Sequence, residues 1–264
     1  MDQPLVMGII NATPDSFYEG HLNKGITAIT SLASAMLKDG AAMLDIGGQS
    51  TRPGSVRVTA AEEIQRVIPV IDAIKAIHPD AVISIDTYHS KVALKAVNAG
   101  ASIVNDISAG NMDEDMLHAV GSLKVPFIAM HMKGSPETMQ RQPEYENVVK
   151  EVLDFFIKKI AECKMAGIND VIVDPGFGFG KTAQHNFQLL KQLNVFKMLD
   201  KPILAGLSRK GTVYKTLGIT ADEALNGTTC LNTIALMNGS NILRVHDVKE
   251  AQQAVTLLAA YRQA

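Results

Sequence analysis

Cysteine is scarce in this chain of 264 residues. Its two cysteines, Cys163 and Cys230, lie far apart inside segments with a helical pattern. A zinc site needs closely spaced cysteines, and a disulfide framework needs several of them. The spacing argues against both kinds of site, and we expect two buried thiols without a chemical role.

The chain also lacks long apolar runs and a strong charge of either sign. No stretch reaches the ~18 uninterrupted apolar residues of a membrane span, and the first residues lack the basic region and apolar run of a secretory signal. The 25 basic and 27 acidic residues give a net charge of −2, with no long basic run that could neutralise the many phosphates of a nucleic acid. We therefore expect a cytoplasmic protein with neither a membrane nor a nucleic acid as its partner.

Hydrophobic residues make up 47% of the chain and charged residues 20%, a composition that can build a sizeable core. Short runs of Val, Ile, Leu and Met alternate with longer segments of 3.6-residue period. The short runs predict eight strands, at 5–11, 43–48, 82–87, 102–108, 126–132, 171–178, 202–208 and 242–247. The periodic segments predict a helix after each strand, at about 24–39, 60–77, 90–99, 113–121, 144–166, 183–198, 222–237 and 248–262.

Eight βα units in about 250 residues are typical of a closed (β/α)8 barrel. We therefore predict an α/β fold in which residues 1–264 form one domain, a TIM barrel. An open doubly wound sheet is the alternative. Such a sheet usually has fewer strands and a Gly-rich first turn, whereas residues 11–17 are Asn-Ala-Thr-Pro-Asp-Ser-Phe.

Almost every predicted strand ends in a polar or charged residue. An unpaired polar group in an apolar setting costs roughly 1–3 kcal/mol, so its recurrence at one end of a barrel is hard to attribute to chance. Barrel enzymes have their active sites at this end. The residues concerned are Asn11, Asp45, Asp86, Asn105, Asp106, His131, Asp174, Ser208, Arg209, Lys210, Arg244 and His246.

Some of these residues have a structural alternative. Side chains alternate along a strand, so at most one of Asn105 and Asp106 faces the barrel axis. Asp45 could instead cap the loop that follows it. His131 fits a hydrogen-bonded core histidine as well as it fits a ligand contact.

Basic residues at the mouth of the barrel indicate an anion. Arg244 and His246 are two residues apart and share a face of the eighth strand, close to where such barrels often bind phosphate. The Gly- and Pro-framed segment 47–54 carries Arg52, a cation suited to closing over the same anion. The glycine-rich segment 174–182 is not a P-loop, because position 175 is proline where that motif needs glycine.

Taken in chain order, these segments resemble the signature motifs of the dihydropteroate synthases. The matching segments are 11–17, 45–54, 84–87, 105–108, 130–134, 174–181, 208–210 and 244–247. The resemblance implies a pterin-binding barrel, usually a homodimer, that uses Mg²⁺. It also implies the condensation of 6-hydroxymethyl-7,8-dihydropterin diphosphate with 4-aminobenzoate, which gives 7,8-dihydropteroate and diphosphate in folate biosynthesis.

The same resemblance implies three groups of substrate-binding residues. The pterin group comprises Asp86, Asn105, Asp174 and Lys210, to which we add Gly206 and Arg244. The diphosphate group comprises Asn11, Arg52, Arg244 and His246, of which Asn11 also binds Mg²⁺. The 4-aminobenzoate group comprises Phe17, Thr51, Pro53, Ser208 and Lys210.

The residue types suit these roles on chemical grounds. A pterin presents adjacent N–H donors that a carboxylate such as Asp174 accepts in pairs, and Lys210 can donate to the ring acceptors. Apolar walls from Met130, Ile107 and Phe179 would cover the ring.

The resemblance also implies a reaction without a protein nucleophile, in which diphosphate leaves first and the arylamine then attacks the pterin-methyl cation. Loss of diphosphate builds negative charge on oxygen, which preorganised cations stabilise. We therefore predict four catalytic residues: Arg52, Lys210, Arg244 and His246.

Two other functions are open to a chain of this kind. A methyltetrahydrofolate-dependent methyltransferase domain shares the pterin barrel but has no diphosphate to bind, so Arg52, Lys210, Arg244 and His246 argue against it. A non-catalytic paralogue would be expected to have lost at least one residue of the anion site, and none is missing. Release of diphosphate in the presence of both substrates distinguishes the condensing enzyme from both alternatives.

Overall fold

The computed structural model describes residues 3–13, 22–49, 57–134 and 143–264, and these form a barrel of parallel strands surrounded by helices. Eight strands pair in the order β6-β5-β4-β3-β2-β1-β8-β7. They are β1 Leu5–Asn11, β2 Met43–Gly47, β3 Ile83–Asp86, β4 Ile103–Asp106, β5 Phe127–Met130, β6 Val171–Asp174, β7 Leu204–Ala205 and β8 Ile242–Val245. The prediction of a (β/α)8 TIM barrel is confirmed.

The barrel closes between β6 and β7 by a single parallel bridge, Val173 to Ile203. Ile203 is also held from the other side. Its N–H donates to the Asn241 side chain at 2.9 Å, and its carbonyl accepts from the N–H groups of Asn241 and Ile242. Backbone groups beside the shortest strand, β7, therefore keep their hydrogen-bond partners although only one bridge joins this region to β6.

Helices cover the outside of the barrel. The α-helices of the described residues are α1 Leu22–Lys38, α2 Ala60–Ile77, α3 Ser90–Asn98, α4 Met116–Leu123, α5 Val148–Met165, α6 Ala183–Lys191, α7 Gly211–Leu217, α8 Leu225–Met237 and α9 Val248–Gln263. A 3-10 helix, Leu193–Leu199, follows α6. In that part of the chain, no helix has both the length and the apolar character needed to cross a membrane.

The start of α2 shows how the sequence sets a helix boundary. The Thr59 hydroxyl accepts from the Glu62 N–H, and the Glu62 carboxylate accepts from the Thr59 N–H at 2.9 Å. This capping box satisfies two backbone donors that the first helical turn leaves without partners. The apolar face of α2 then packs on the barrel through Val67, Ile71 and Ile74.

The inside of the barrel is built in layers. A buried apolar layer near the N-terminal ends of the strands comprises Met7, Met43, Ile103, Ile128, Ile172, Leu204 and Ile242. Because strand side chains alternate, the residue two places further on faces the same way. Those residues are Ile9, Asp45, Asn105, Met130, Asp174, Gly206 and Arg244. The barrel interior therefore changes from apolar to largely polar between one layer of side chains and the next.

Several element boundaries differ from the predicted ones. The predicted strand 171–178 ends at Asp174, because Gly176 turns the chain with φ of +69°. The predicted helix 183–198 ends at Lys191 and continues as the 3-10 helix, and α7 was not predicted. Cys163 is buried as expected, whereas Cys230 is exposed on α8, so the prediction of two buried thiols is wrong for Cys230.

Candidate active site

A network of charged side chains occupies the polar layer at the C-terminal end of the barrel. Arg244 donates from Nε to Asp45 Oδ2 and from a terminal nitrogen to Asp86 Oδ2, both at 2.6 Å. Asn105 donates from Nδ2 to the same oxygen of Asp45 at 2.9 Å. β2 and β3 therefore meet β8 at one guanidinium group, and β4 joins the network through Asp45. Among the described residues, Asp45 Oδ1 has no hydrogen-bond partner although it is buried.

Burial governs the protonation of this network. It raises the pKa of Asp86 to about 7, and the Arg244 charge opposes the shift. Burial alone would lower the pKa of Arg244, but the carboxylates of Asp45 and Asp86 outweigh it and the net direction is upward. Arg244 therefore stays charged and holds the acidic residues together.

Asp174 and Lys210 approach each other across Gly206. A side-chain carbon added to Gly206 would lie 3.5 Å from Lys210 Nζ and 4.0 Å from Asp174 Oδ2, so glycine keeps this space open. Lys210 Nζ donates to the Phe177 carbonyl at 2.7 Å and lies 4.7 Å from the ring centroid of Phe179. Burial raises the pKa of Asp174 and lowers that of Lys210 to about 8, and each group opposes the shift of the other.

One side of this space is apolar. Tyr88, Ile107 and Met130 form a buried cluster, and Phe179 packs against it from the loop after β6. Three of these four residues were predicted as the wall of a pterin pocket. Tyr88 was not predicted, because a tyrosine that follows a strand gives no signal of the direction in which its ring points.

A second pair of side chains lies at the ends of β7 and β8. Ser208 Oγ is 3.0 Å from His246 Nδ1 and accepts from the His246 N–H at 3.2 Å. Next to them, Arg209 makes two bonds to the Asp247 carboxylate, at 2.8 and 2.9 Å. The structure thus brings Ser208, predicted for 4-aminobenzoate, against His246, predicted for diphosphate.

The alternatives for Asn105 and Asp106 are resolved by their partners. Asn105 joins the network inside the barrel. Asp106 instead accepts from the N–H groups of Ser108 and Gly110, so it shapes the loop after β4. Asp45 lies in the network and does not cap a loop.

The remaining predicted residues differ in how far the structure describes them. Asn11 is exposed at the end of β1, in register with Gly47 of β2. Phe17, Thr51, Arg52 and Pro53 lie outside the described residues. His131 is buried against Lys181, which was not predicted as a site residue.

Comparison with known proteins gives the same picture over the whole chain. Residues 7–246 match the family of pterin binding enzymes. The dihydropteroate synthase of Escherichia coli (strain K12) is 42% identical, over 98% of this chain and 92% of its own. That of Haemophilus influenzae is 43% identical, over 93% of this chain and 89% of its own.

Solved structures agree with this likeness. The Yersinia pestis dihydropteroate synthase in complex with a sulfonamide drug has a TM-score of 0.93 and 40% identity, covering 99% of this chain and 95% of that one. The Xanthomonas albilineans enzyme in complex with 7,8-dihydropteroate has a TM-score of 0.89 and 37% identity, covering 100% and 95%. This chain therefore belongs to the pterin-binding enzymes and, within them, to the dihydropteroate synthase family.

Proposed function

We propose that this member of the dihydropteroate synthase family condenses 6-hydroxymethyl-7,8-dihydropterin diphosphate with 4-aminobenzoate at the C-terminal end of its barrel. The observation that carries the assignment is the convergence of Asp174 and Lys210 at Gly206, beside the apolar wall of Ile107 and Met130. A flat heterocycle with donors on one edge and acceptors on the other fits a slot built in this way. The whole chain would act as one domain.

The pterin binds through paired polar contacts. Asp174 accepts adjacent N–H groups of the pyrimidine edge, and Lys210 donates to ring acceptors. Asn105 and Asp86 complete the polar edge from β4 and β3, where Asn105 donates to Asp45 and Asp86 accepts from Arg244. Phe179 and Met130 cover the faces of the ring.

The diphosphate binds where positive charge gathers at the mouth of the barrel. Arg244 has five N–H donors, two of which bind Asp45 and Asp86, and His246 lies one side-chain step further out on the same strand face. With Arg52, these residues stabilise the charge that builds on oxygen as diphosphate leaves. The pterin-methyl cation left behind needs no protein nucleophile.

Mg²⁺ fits this site only together with the substrate. Its preferred ligands are oxygens, and it is usually held by one or two protein groups plus substrate phosphates. The Asn11 amide oxygen would supply one such ligand, and the described residues contain no cluster of three His, Cys, Asp or Glu side chains that could hold a metal. When bound, Mg²⁺ would neutralise part of the diphosphate charge.

4-Aminobenzoate binds beside the same anion. Ser208 and Lys210 flank it from the loop after β7, and Phe17, Thr51 and Pro53 contribute from segments 14–21 and 50–56.

We also propose that the protein is a cytoplasmic homodimer. Light scattering of the purified protein tests the dimer.

A turnover assay tests the proposed function. Purified protein is mixed with the pterin diphosphate and 4-aminobenzoate, with and without Mg²⁺, and both diphosphate and dihydropteroate are measured. His246→Ala should lose most activity, whereas His118→Ala, an exposed histidine on α4, should keep it. Methyl transfer from methyltetrahydrofolate without diphosphate release would establish the methyltransferase alternative instead.

A further inference from the structure

A buried lysine that contacts none of the proposed substrates lies behind the pterin site. Lys181 Nζ donates to the carbonyl oxygens of Gly176 and Phe179, both at 3.0 Å, and of His131 at 3.2 Å. It is also 2.9 Å from His131 Nδ1. Only 3% of the Lys181 surface is exposed. Nothing in the proposed reaction uses this group.

The contacts of Lys181 join two loops. His131 opens the loop after β5, and Gly176 and Phe179 belong to the loop after β6. The backbones of these loops touch, because a side-chain carbon on Gly176 would collide with the His131 carbonyl, and one on Gly180 with the Lys133 carbonyl. Both glycines have positive φ, of +69° and +64°, so the close approach and the backbone conformation both require glycine.

A cation is needed where these carbonyls converge. Three carbonyl oxygens turned toward one point repel one another, and an ammonium group with three N–H donors relieves that repulsion. Burial and the Lys181 charge lower the pKa of His131 to about 2, so its ring is neutral and Nδ1 can accept a hydrogen bond from the Lys181 ammonium group. Burial also lowers the pKa of Lys181 to about 7, which Asp174 opposes.

The two loops carry much of the proposed pterin site. Met130 immediately precedes His131, and Asp174 is the last residue of β6, directly before the second loop. The Phe177 carbonyl in that loop accepts from Lys210, and the Phe179 ring lies beneath the same ammonium group. A change in the spacing of the loops would therefore move the wall, the carboxylate and the partner of Lys210 together.

We propose that Lys181 and His131 are positioning residues that hold the loops after β5 and β6 at the spacing that pterin binding requires. The inference rests on the proposed pterin site. Neither residue touches the pterin. Lys181 supplies the cation between the carbonyls, and Nδ1 of neutral His131 is a further acceptor that shares the three N–H donors with them.

Calorimetric titration with the pterin diphosphate at pH 6.5, where Lys181 is mostly charged, tests the proposal. Lys181→Met should raise the Kd about tenfold or more and lower kcat/KM for the pterin more than kcat, because a buried hydrogen-bonded cation is lost. Lys191→Met, on the exposed face of α6, is the matched control and should leave both unchanged. A role in stability alone would lower the Tm of Lys181→Met but leave the affinity of the folded protein as it was, which would overturn the proposal.

Chemical rescue separates the cation from the fold. Lys181→Ala lacks the atoms of propylamine, so propylammonium should restore pterin affinity at least in part. Tetramethylammonium, which has the same charge but no N–H donor, should not. Equal effects of the two ions would contradict the proposed role.

A pair of His131 variants tests the site with the lysine kept. His131→Asn retains an acceptor near the Nδ1 position and should bind pterin within about threefold of the wild type, whereas His131→Leu should weaken binding about tenfold. Equal affinity of the two variants would overturn the proposal even if Lys181→Met does not fold. A wild-type protein that fails to bind pterin would overturn the proposed function, whereas wild-type binding with unaffected variants would overturn only this inference.

Discussion

The two carboxylate oxygens of Asp174 have different surroundings. Oδ1 accepts from the Gly176 N–H at 2.8 Å, which fixes the start of the loop after β6. Oδ2 lies on the side of Gly206 and Lys210. One oxygen therefore shapes the loop, and the other is available for a ligand N–H.

This division predicts the effect of Asp174→Asn. The Gly176 N–H needs an acceptor, so the amide oxygen takes the Oδ1 position and the amide NH2 faces the ligand donors. We expect pterin binding to weaken by roughly 2–4 kcal/mol, as for a broken buried charged hydrogen bond. Calorimetry checks this against Asp170→Asn, the same change at an exposed position before β6. Equal pterin affinity of the two variants would remove Asp174 from the site.

Lys210 predicts a pH dependence. Burial lowers its pKa to about 8, so the donating ammonium form is lost as the pH rises through 8. We expect kcat/KM for the pterin to fall above pH 8, because the neutral amine binds ring acceptors less strongly. A profile of kcat/KM from pH 6 to 10 measures this, and Lys210→Arg should move the fall to higher pH at lower activity. A flat wild-type profile above pH 8 would count against Lys210 as a charged donor.

The polar layer shows how far individual residues could be predicted. Polar residues at strand ends located the site, and the motifs assigned Asp86, Asn105 and Asp174. Whether Asn105 or Asp106 faces inward depends on strand register, which neighbouring strands set and the local sequence does not encode. For the same reason the sequence did not decide whether Asp45 caps a loop or faces the barrel interior, although Asp45 lies two residues after inward-facing Met43.

Elements were predicted well where their pattern is long and poorly where it is short. The sixth strand was predicted to run too far at its C-terminal end because apolar Phe177 continues the pattern, although it is buried in a loop. The seven residues of α7 are too few to show a recurring apolar pattern of helical period. They also begin with glycine and include Thr212 and Val213, which do not favour a helix. Segments 14–21, 50–56 and 135–142 lie outside the described residues, and the aminobenzoate assignments on them stay predictions.

The junction of β7 and β8 depends on an ion pair between their following loops. Arg209 has a positive φ of +53° and makes a two-pronged bond to Asp247. It thereby anchors the turn whose two neighbouring residues, Ser208 and Lys210, point to His246 and to Phe177. The ion pair is partly exposed, so it contributes little to global stability.

We therefore predict that Arg209→Gly lowers activity far more than stability. Glycine accepts the positive φ without strain but cannot bind Asp247 or the carbonyl groups of Ala221 and Asp222, so the turn loses the contacts that hold it in place. We expect kcat/KM to fall about tenfold or more, with a change in unfolding free energy within ~1 kcal/mol. Steady-state kinetics and urea unfolding measure the two effects. Arg209→Gly with wild-type kinetics would show that the turn needs no anchor.

At the scale of the whole molecule, the barrel separates stability from function. The apolar layer near the N-terminal ends of the strands and the larger core beneath the helices hold the fold together, while the charged layer lies above them. Parallel strands that are apolar on both faces predict this architecture from sequence, because only helices on the outside and a filled interior bury both faces. Glu63 of α2 is an ionisable group buried between helix and barrel, only 1% exposed, next to Thr87 at the end of β3.

Glu63 predicts how the stability of the fold changes with pH. Burial raises its pKa from 4.5 to about 8, against the opposing hydrogen bond from Thr87 Oγ1 at 3.0 Å. The folded state thus binds this proton more tightly than the unfolded state, so the contribution of Glu63 to stability is complete below pH 4.5 and is lost as the pH rises through 8.

Replacing Glu63 with glutamine keeps the uncharged form at every pH. We expect Glu63→Gln to approach the wild type as the pH falls below 4.5 and to exceed its unfolding free energy near pH 8.5 by on the order of 1–3 kcal/mol. Urea unfolding at several pH values measures the difference, with Glu114→Gln at an exposed position as the control. If the two proteins lost stability equally between pH 5 and 8.5, the charge of Glu63 would have no part in the alkaline destabilisation of the barrel.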